Sequence, residues 1–253
     1  VMDHPIQLEA MRILMNMAIP ARQIRPALLQ HITLTMTAMT IQHGNSPIAA
    51  FAYGLYGMLC SIYGDVGEGY RFGKFSIKMS ARFGDPGLSA KVRFLFNSFV
   101  RHWKEHARET VTSLADVFRT GNEIGELEYA HYGDFLHCVH LFSAGGALET
   151  VHHKVTRYLE RTEKLGLTFH TDIGKIWHQA ILSLRGKANE AERFDELKML
   201  PVWIAQNNLI PVFGTYYCRT MIQYLFNDYA GATESGRMGE KYEKGGEGFL
   251  YLP

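Results

Sequence analysis

The chain has 253 residues, 47% of them hydrophobic and 12% aromatic, enough to bury a core and too apolar to stay disordered. Lys and Arg number 26 against 25 Asp and Glu, a net charge of +1, so no global field draws in nucleic acid or an anionic membrane. Cys60, Cys138 and Cys218 are odd in number and widely spaced, and they read as reduced, buried small hydrophobes of a cytosolic protein.

In chain order, Ile6 to Met17 carries apolar residues at helical spacing, and Pro20 is expected to interrupt it. Pro26 opens a second segment through Leu28, Leu29, Ile32, Leu34 and Met36. Gly44-Asn45-Ser46-Pro47 reads as a turn, with Ser46 as cap and Pro47 at the first helical position. Helices over Pro47–Tyr63 and Val66–Phe83, joined at Gly64-Asp65, form the first hairpin. Gly84-Asp85-Pro86-Gly87 ends it, and Val92, Phe94, Leu95, Phe96, Phe99, Val100 and Trp103 mark a buried helix beyond.

Ala107–Arg119, Leu127–Phe142 and Ala147–Leu165 follow, with breaks at Gly121-Asn122 and Gly145-Gly146. Further helices are expected over Thr171–Leu184, Ala188–Asn208 with a break at Pro201, Ile210–Phe226 and Ala230–Tyr242, before a loop from Lys244 to Gly248. No stretch alternates apolar and polar residues over strand length, so the chain reads as all-α. Ile48–Tyr63 carries no charge but falls short of the roughly 20 apolar residues a membrane span needs. The start at Val1 and the apolar run Phe249–Pro253 point to a piece of a longer polypeptide, with 1–253 as a single helical-repeat region.

One pattern recurs. Ala52-Tyr53-Gly54-Leu55-Tyr56-Gly57 leads through Gly64-Asp65 to Gly69 and Gly73; Gly125-Glu126 precedes Ala130; Asn227-Asp228 precedes Ala232 and Gly236. Small residues at such points let neighbouring helices approach closely, as stacked antiparallel hairpins require.

Four features resemble chemical motifs. His102-x-x-Glu105-His106 matches the H-x-x-E-H pattern of inverted zinc metallopeptidases, in which histidines four apart on a helix share a face around the metal. No motif marks the further carboxylate ligand such a site needs. His137 and His140, with His152-His153 a helix later, form a second metal-like group in a segment that otherwise reads as packing surface. Gly67-x-Gly69-x-x-x-Gly73 has its last glycine one position late for a dinucleotide fingerprint and follows a helix, while Gly174-Lys175 has Phe169 where a Walker loop needs glycine. No G-x-S-x-G elbow occurs, and Arg101, Lys104, Arg108, Arg157, Arg161 and Lys164 lie among Glu105, Glu109, Glu160 and Glu163 as on a solvated helix face. The residues therefore designate no catalytic, cofactor-binding or metal-binding site.

The chain resembles the tetratricopeptide-like helical region of very large multidomain signalling kinases. The elements that carry the resemblance are Gly44-Asn45-Ser46, Ala52-Tyr53-x-x-Tyr56-Gly57, Tyr63-Gly64-Asp65-x-x-x-Gly69-Tyr70-x-Phe72-Gly73, Phe99-Val100-x-His102-Trp103, Gly121 through Ala130, Phe142-x-x-Gly145 and Asn227-Asp228-Tyr229. In that family a serine/threonine-kinase-like domain and an AAA-type NTPase precede the region, and GAF and histidine-kinase domains follow it. The resemblance implies a degenerate tetratricopeptide-like α-solenoid, non-catalytic, coupling an NTPase module to a sensor kinase through neighbouring domains or a protein partner. His102-Trp103 belongs to the resemblance, whereas Glu105 and His106 do not. Cys60 stands where a strict repeat favours tyrosine, and Gly73 where it favours phenylalanine. A metal-dependent hydrolase at 102–106 and a small-molecule sensor with a pocket between helices are the alternatives.

Overall fold

A computed structural model describes residues 1–187 and 195–250, and among these every regular element is a helix. They are α1 (Pro5–Ile24), α2 (Pro26–His43), α3 (Ala49–Ile62), α4 (Val66–Phe83), α5 (Pro86–Phe99), η1 (Arg101–Trp103), α6 (Arg108–Ile124), α7 (Leu127–Ser143), α8 (Leu148–Lys164), α9 (Thr168–Leu184), α10 (Glu196–Ala205), α11 (Leu209–Leu225), α12 (Tyr229–Glu240) and η2 (Glu243–Gly245). The all-α expectation holds. Residues 188–194 of the helix expected over Ala188–Asn208, and residues 251–253 of the apolar run, lie outside the described residues.

The turns are more regular than the small-residue pattern alone implied. Left-handed backbone occurs at Gly44, Gly64, Gly84, Gly125, Gly145, Gly166, Gly186, Asn207, Asn227 and Gly248, at intervals of 20, 20, 41, 20, 21, 20, 21, 20 and 21 residues. Glycine, and next to it asparagine, adopts positive φ at least cost. In seven of these turns the following amide reaches back to the carbonyl five residues earlier. Examples are Asp65 to Cys60 at 2.9 Å, Glu126 to Gly121 at 2.8 Å and Asp228 to Gln223 at 2.8 Å. That bond closes a Schellman motif and satisfies a helix-end carbonyl. The same residue often begins the next helix: Asp65 accepts from the Glu68 amide at 3.0 Å and Asp228 from the Gly231 amide at 2.9 Å. A helical pair thus repeats about every 41 residues, longer than the roughly 34 of a tetratricopeptide repeat and within the roughly 40–47 of other paired-helix repeats.

Where helices cross, the small residues lie in the contact. A Cβ on Gly57 would stand 2.8 Å from the Gly69 carbonyl oxygen, and one on Gly73 would stand 2.6 Å from the Phe96 ring. Gly121 faces Ala130, and Gly174 faces Tyr158 and Leu159, in the same way.

Several local expectations are corrected. α1 runs through Pro20 and α10 through Pro201, because a proline removes one amide donor and kinks a helix without ending one held by packing on both sides. Ser46 does not cap: α3 begins at Ala49 after Ile48, and the buried Ser46 hydroxyl makes no hydrogen bond. The helix expected to continue to Trp103 ends at Phe99, while α6 extends through Gly121-Asn122 to Ile124.

The chain divides into two compact units, Val1–His140 with residues 248–250, and Leu141–Glu247, the boundary falling inside α7. The first unit packs Met11, Met36, Phe51, Leu55, Val92, Leu114 and Leu136 at its centre. Phe249 closes one side, its ring 5.1 Å from that of Phe99, with the Arg22 guanidinium over both rings at 4.7 and 4.8 Å. The second unit is centred on Tyr158, Ile181, Trp203 and Val212. There the Trp203 indole donates to Asp172 at 3.0 Å, and buried Glu196 faces Arg219 at 3.6 Å. Among the described residues no helix is long and apolar enough to cross a membrane.

Candidate functional site

The turn period has one gap. Between Gly84 and Gly125 it calls for a left-handed residue near position 104, and none stands there. α5 instead ends at Phe99, the short η1 follows, and α6 starts only at Arg108. This gap holds the His102-x-x-Glu105-His106 segment. The histidines are consequently not four apart on one α-helix: His102 lies in the 3-10 turn, and His106 lies in the stretch that precedes α6.

Glu105 is engaged by other side chains. It accepts from the Tyr70 hydroxyl at 2.5 Å and from Arg101 Nε at 2.7 Å, and the Tyr70 hydrogen bond holds its carboxyl below the usual range. Arg101, expected on a solvated helix face, is the hub of the gap. It donates also to Asn97 Oδ1 at 3.2 Å, the Glu109 carbonyl at 2.9 Å and Ser113 Oγ at 3.1 Å, tying α5 to α6. The Trp103 indole donates to the Phe99 carbonyl at 3.1 Å. His106 Nδ1 accepts from the Arg108 amide at 3.1 Å.

The histidine that His102 does meet is His140 on α7. Their rings stand edge to face, 5.9 Å between centroids at 90°. His140 is fully buried, and its Nδ1 lies 2.6 Å from Thr110 Oγ1. The Thr110 hydroxyl spends its one proton on the Ala107 carbonyl at 2.6 Å, so His140 Nδ1 must carry the proton of that contact. The neutral ring then presents a bare Nε2, which finds no partner, and both ring nitrogens of His102 are buried without one. Burial lowers His102 to about 4; burial, then His102 and His137, lower His140 to about 3. Both rings are neutral at pH 7.

His137 Nδ1 lies 2.9 Å from the Val111 carbonyl, which can only accept, so this ring donates to α6. The His137–His140 pair is therefore used to lock α7 to α6. In the second unit His152 stacks on His178 at 5.1 Å between ring centroids. Among the described residues no group of three or more His, Cys, Asp and Glu is placed to hold a metal ion. Cys60 is half-buried and Cys138 and Cys218 are buried, none in a disulfide, and burial raises the Cys60 and Cys218 thiols away from reactivity.

One cavity of about 330 Å³ opens in the first unit, a feature the sequence did not reveal. Leu8, Arg12 and Met15 of α1 form one wall; Pro47 and Ile48 form a second; Asp85, Gly87, Leu88 and Lys91 at the start of α5 and Glu126 form the rest. Lys91 Nζ bridges both Glu126 oxygens at 2.9 and 3.0 Å and lies 5.3 Å from the Tyr129 ring centroid. Asp85 is held by the Leu88 amide at 3.0 Å. The deep charges are thus satisfied within the protein, and the cavity offers an apolar wall with the exposed Arg12 at its rim. Gly69 and Gly73 are buried between helices, and Lys175 pairs with Glu163 at 3.0 Å, so neither glycine motif is shaped around a phosphate.

No family model matches this chain, and no curated protein matches it.

Proposed function

We propose that this chain is a non-catalytic helical-repeat segment of a cytoplasmic signal-transduction protein, coupling an NTPase module to a sensor kinase module through interdomain contacts. The observation that carries the reading is where the resemblance-bearing residues fall. Gly64-Asp65, Gly125-Glu126, Gly145 and Asn227-Asp228 make hairpin turns, Gly57, Gly69 and Gly73 make close crossings, and His102-Trp103 fills the gap in the period. These are roles of a scaffold, which stacks hairpins so that their outer faces meet other domains. Coupling would follow if two packings of the stack differ in their contacts with a neighbour.

The test is the coding sequence on both sides of this segment. NTPase motifs upstream and a histidine-kinase core downstream are expected. An open frame confined to these residues would overturn the reading. The alternative hydrolase loses support from the engagement of Glu105 with Tyr70 and Arg101. A small-molecule sensor is favoured by one feature, the cavity beside Lys91, and ligand-dependent thermal stabilisation would distinguish it.

A further inference from the structure

The helix pair α1–α2 carries apolar residues on both sides of each helix. On α1, Ile6, Ala10, Ile13, Met17, Pro20 and Ile24 follow one another at intervals of 4, 3, 4, 3 and 4, the a/d spacing of a coiled-coil seam. On α2, Ala27, His31, Leu34, Ala38 and Ile41 keep the same spacing. These are not the core positions. Met11, Ala18 and Ala21 of α1, and Leu29, Ile32 and Met36 of α2, are the buried ones, while Ile6, Ile13, Met17, Ile24, Leu34 and Ile41 are 41–74% exposed.

The composition of α2 is the second observation. Its 18 residues include no Asp, Glu, Lys or Arg. Its buried threonines, Thr33, Thr37 and Thr40, return their hydroxyls to carbonyls of their own helix at 2.8 Å, so these three ask nothing of solvent. A helix at the surface of a globular protein ordinarily carries charged residues on its outer face, and α2 carries none.

We infer that the outer face of α1 and α2 is an interface with a second copy of this chain. The two seams meet at the Arg25 turn, where Ile24 and Leu28 are both exposed. An isologous contact sets each seam against its own kind, and with no Asp, Glu, Lys or Arg among the seam positions no such like charges oppose each other. The size also fits. Helices of 18 and 20 residues are about 27–30 Å long and sit about 10 Å apart, giving a footprint of about 600 Å² per copy. That is on the order of the roughly 800 Å² per partner of a standard stable interface. The product is a four-helix layer with knobs-into-holes packing between the copies.

The test is sedimentation equilibrium of the full 253-residue chain at about 50 μM, a concentration that saturates a stable interface of this size. A dimer is expected. Ile13→Glu with Leu34→Glu should raise its dissociation constant at least about tenfold, since central apolar anchors dominate such contacts. Helical circular dichroism should stay unchanged, because both positions are exposed. Should that double variant lose helicity, Ile41→Lys at the exposed end of the seam replaces it. Phe226→Glu, on another exposed apolar position, should leave the dimer intact. A monomeric wild type overturns the inference and leaves the seams to a helix of different sequence. A dimer that survives the seam variants but not Phe226→Glu overturns it equally.

Discussion

The carbonyl oxygen of Gly57 lies 2.7 Å from the point where a Cβ on Gly69 would stand, with Ser61 N at 2.9 Å beside it. Both obstacles are backbone atoms of α3, so neither can rotate out of the way. Gly69→Ala must therefore push α4 off α3, and overpacking of this kind costs about 1–3 kcal/mol. Urea unfolding should show a clearly lower midpoint for Gly69→Ala. Gly214→Ala is the comparison: it too is helical, but nothing lies within 4 Å of its Cβ position. There the gain in helix propensity, about 0.5–1 kcal/mol, is unopposed. Equal midpoints for the two variants would remove the close crossing as the reason for glycine at 69.

That crossing was legible in the sequence, because Gly64-Asp65 fixes a turn and Gly69 and Gly73 follow at helical spacing. The period is equally present in the sequence as glycines at 44, 64, 84, 125, 145, 166 and 186, continued by Asn207 and Asn227, although other glycines between them obscure it. Other features were hidden in principle. Pro20 and Pro201 look like helix ends because propensity is local, whereas the decision to continue is made by packing of residues on both sides. Glu105 looks like a metal-site base until Tyr70, 35 residues earlier, takes its carboxylate. The Lys91 cavity joins four separate segments, which no spacing rule connects.

The turn residues differ in kind as well as place. Gly125 has φ of +81° and Asn227 has φ of +64°, both left-handed, and neither helix end can close its Schellman bond otherwise. A Cβ in this region costs about 1 kcal/mol for alanine and less for asparagine. Thermal unfolding should rank the variants Gly125→Asn above Gly125→Ala, and Asn227→Gly at or above wild type with Asn227→Ala below it. Indifference of both turns to alanine would mean that the left-handed residues do not fix these helix ends.

Lys91 and Glu126 illustrate the opposite balance between pairing and burial. The Lys91 side chain is 11% exposed and bridges both Glu126 oxygens. Glu126→Leu would leave the ammonium buried without its carboxylate, and orphaning one member of a buried pair costs about 3–5 kcal/mol at the upper end. Lys91→Met combined with Glu126→Leu removes the stranded charge. Chemical denaturation should therefore show the double variant more stable than Glu126→Leu alone. Additive losses would mean that the two side chains act independently.

His102 and His140 make stability depend on pH in a defined direction. Both have folded-state values below the ordinary 6.5, at about 4 and about 3, so below 6.5 the unfolded chain binds protons that the folded chain refuses. Stability is fully present above pH 6.5 and is lost as pH falls from there toward 4, each ring adding a slope of up to about 1.4 kcal/mol per pH unit. His102→Phe separates this from the general acid sensitivity of carboxylates. It keeps an aromatic ring between Trp103 and His140 and removes two buried nitrogens that have no partner. At pH 7 the variant should match or exceed wild type, because an unsatisfied buried polar group is replaced by an apolar one of similar shape. Between pH 6.5 and 4 its stability should fall less steeply than wild type. Parallel pH profiles would show that His102 reaches solvent and titrates freely in the folded protein. They would also remove the reason for treating the gap at 101–107 as a sealed histidine pair rather than an ordinary turn.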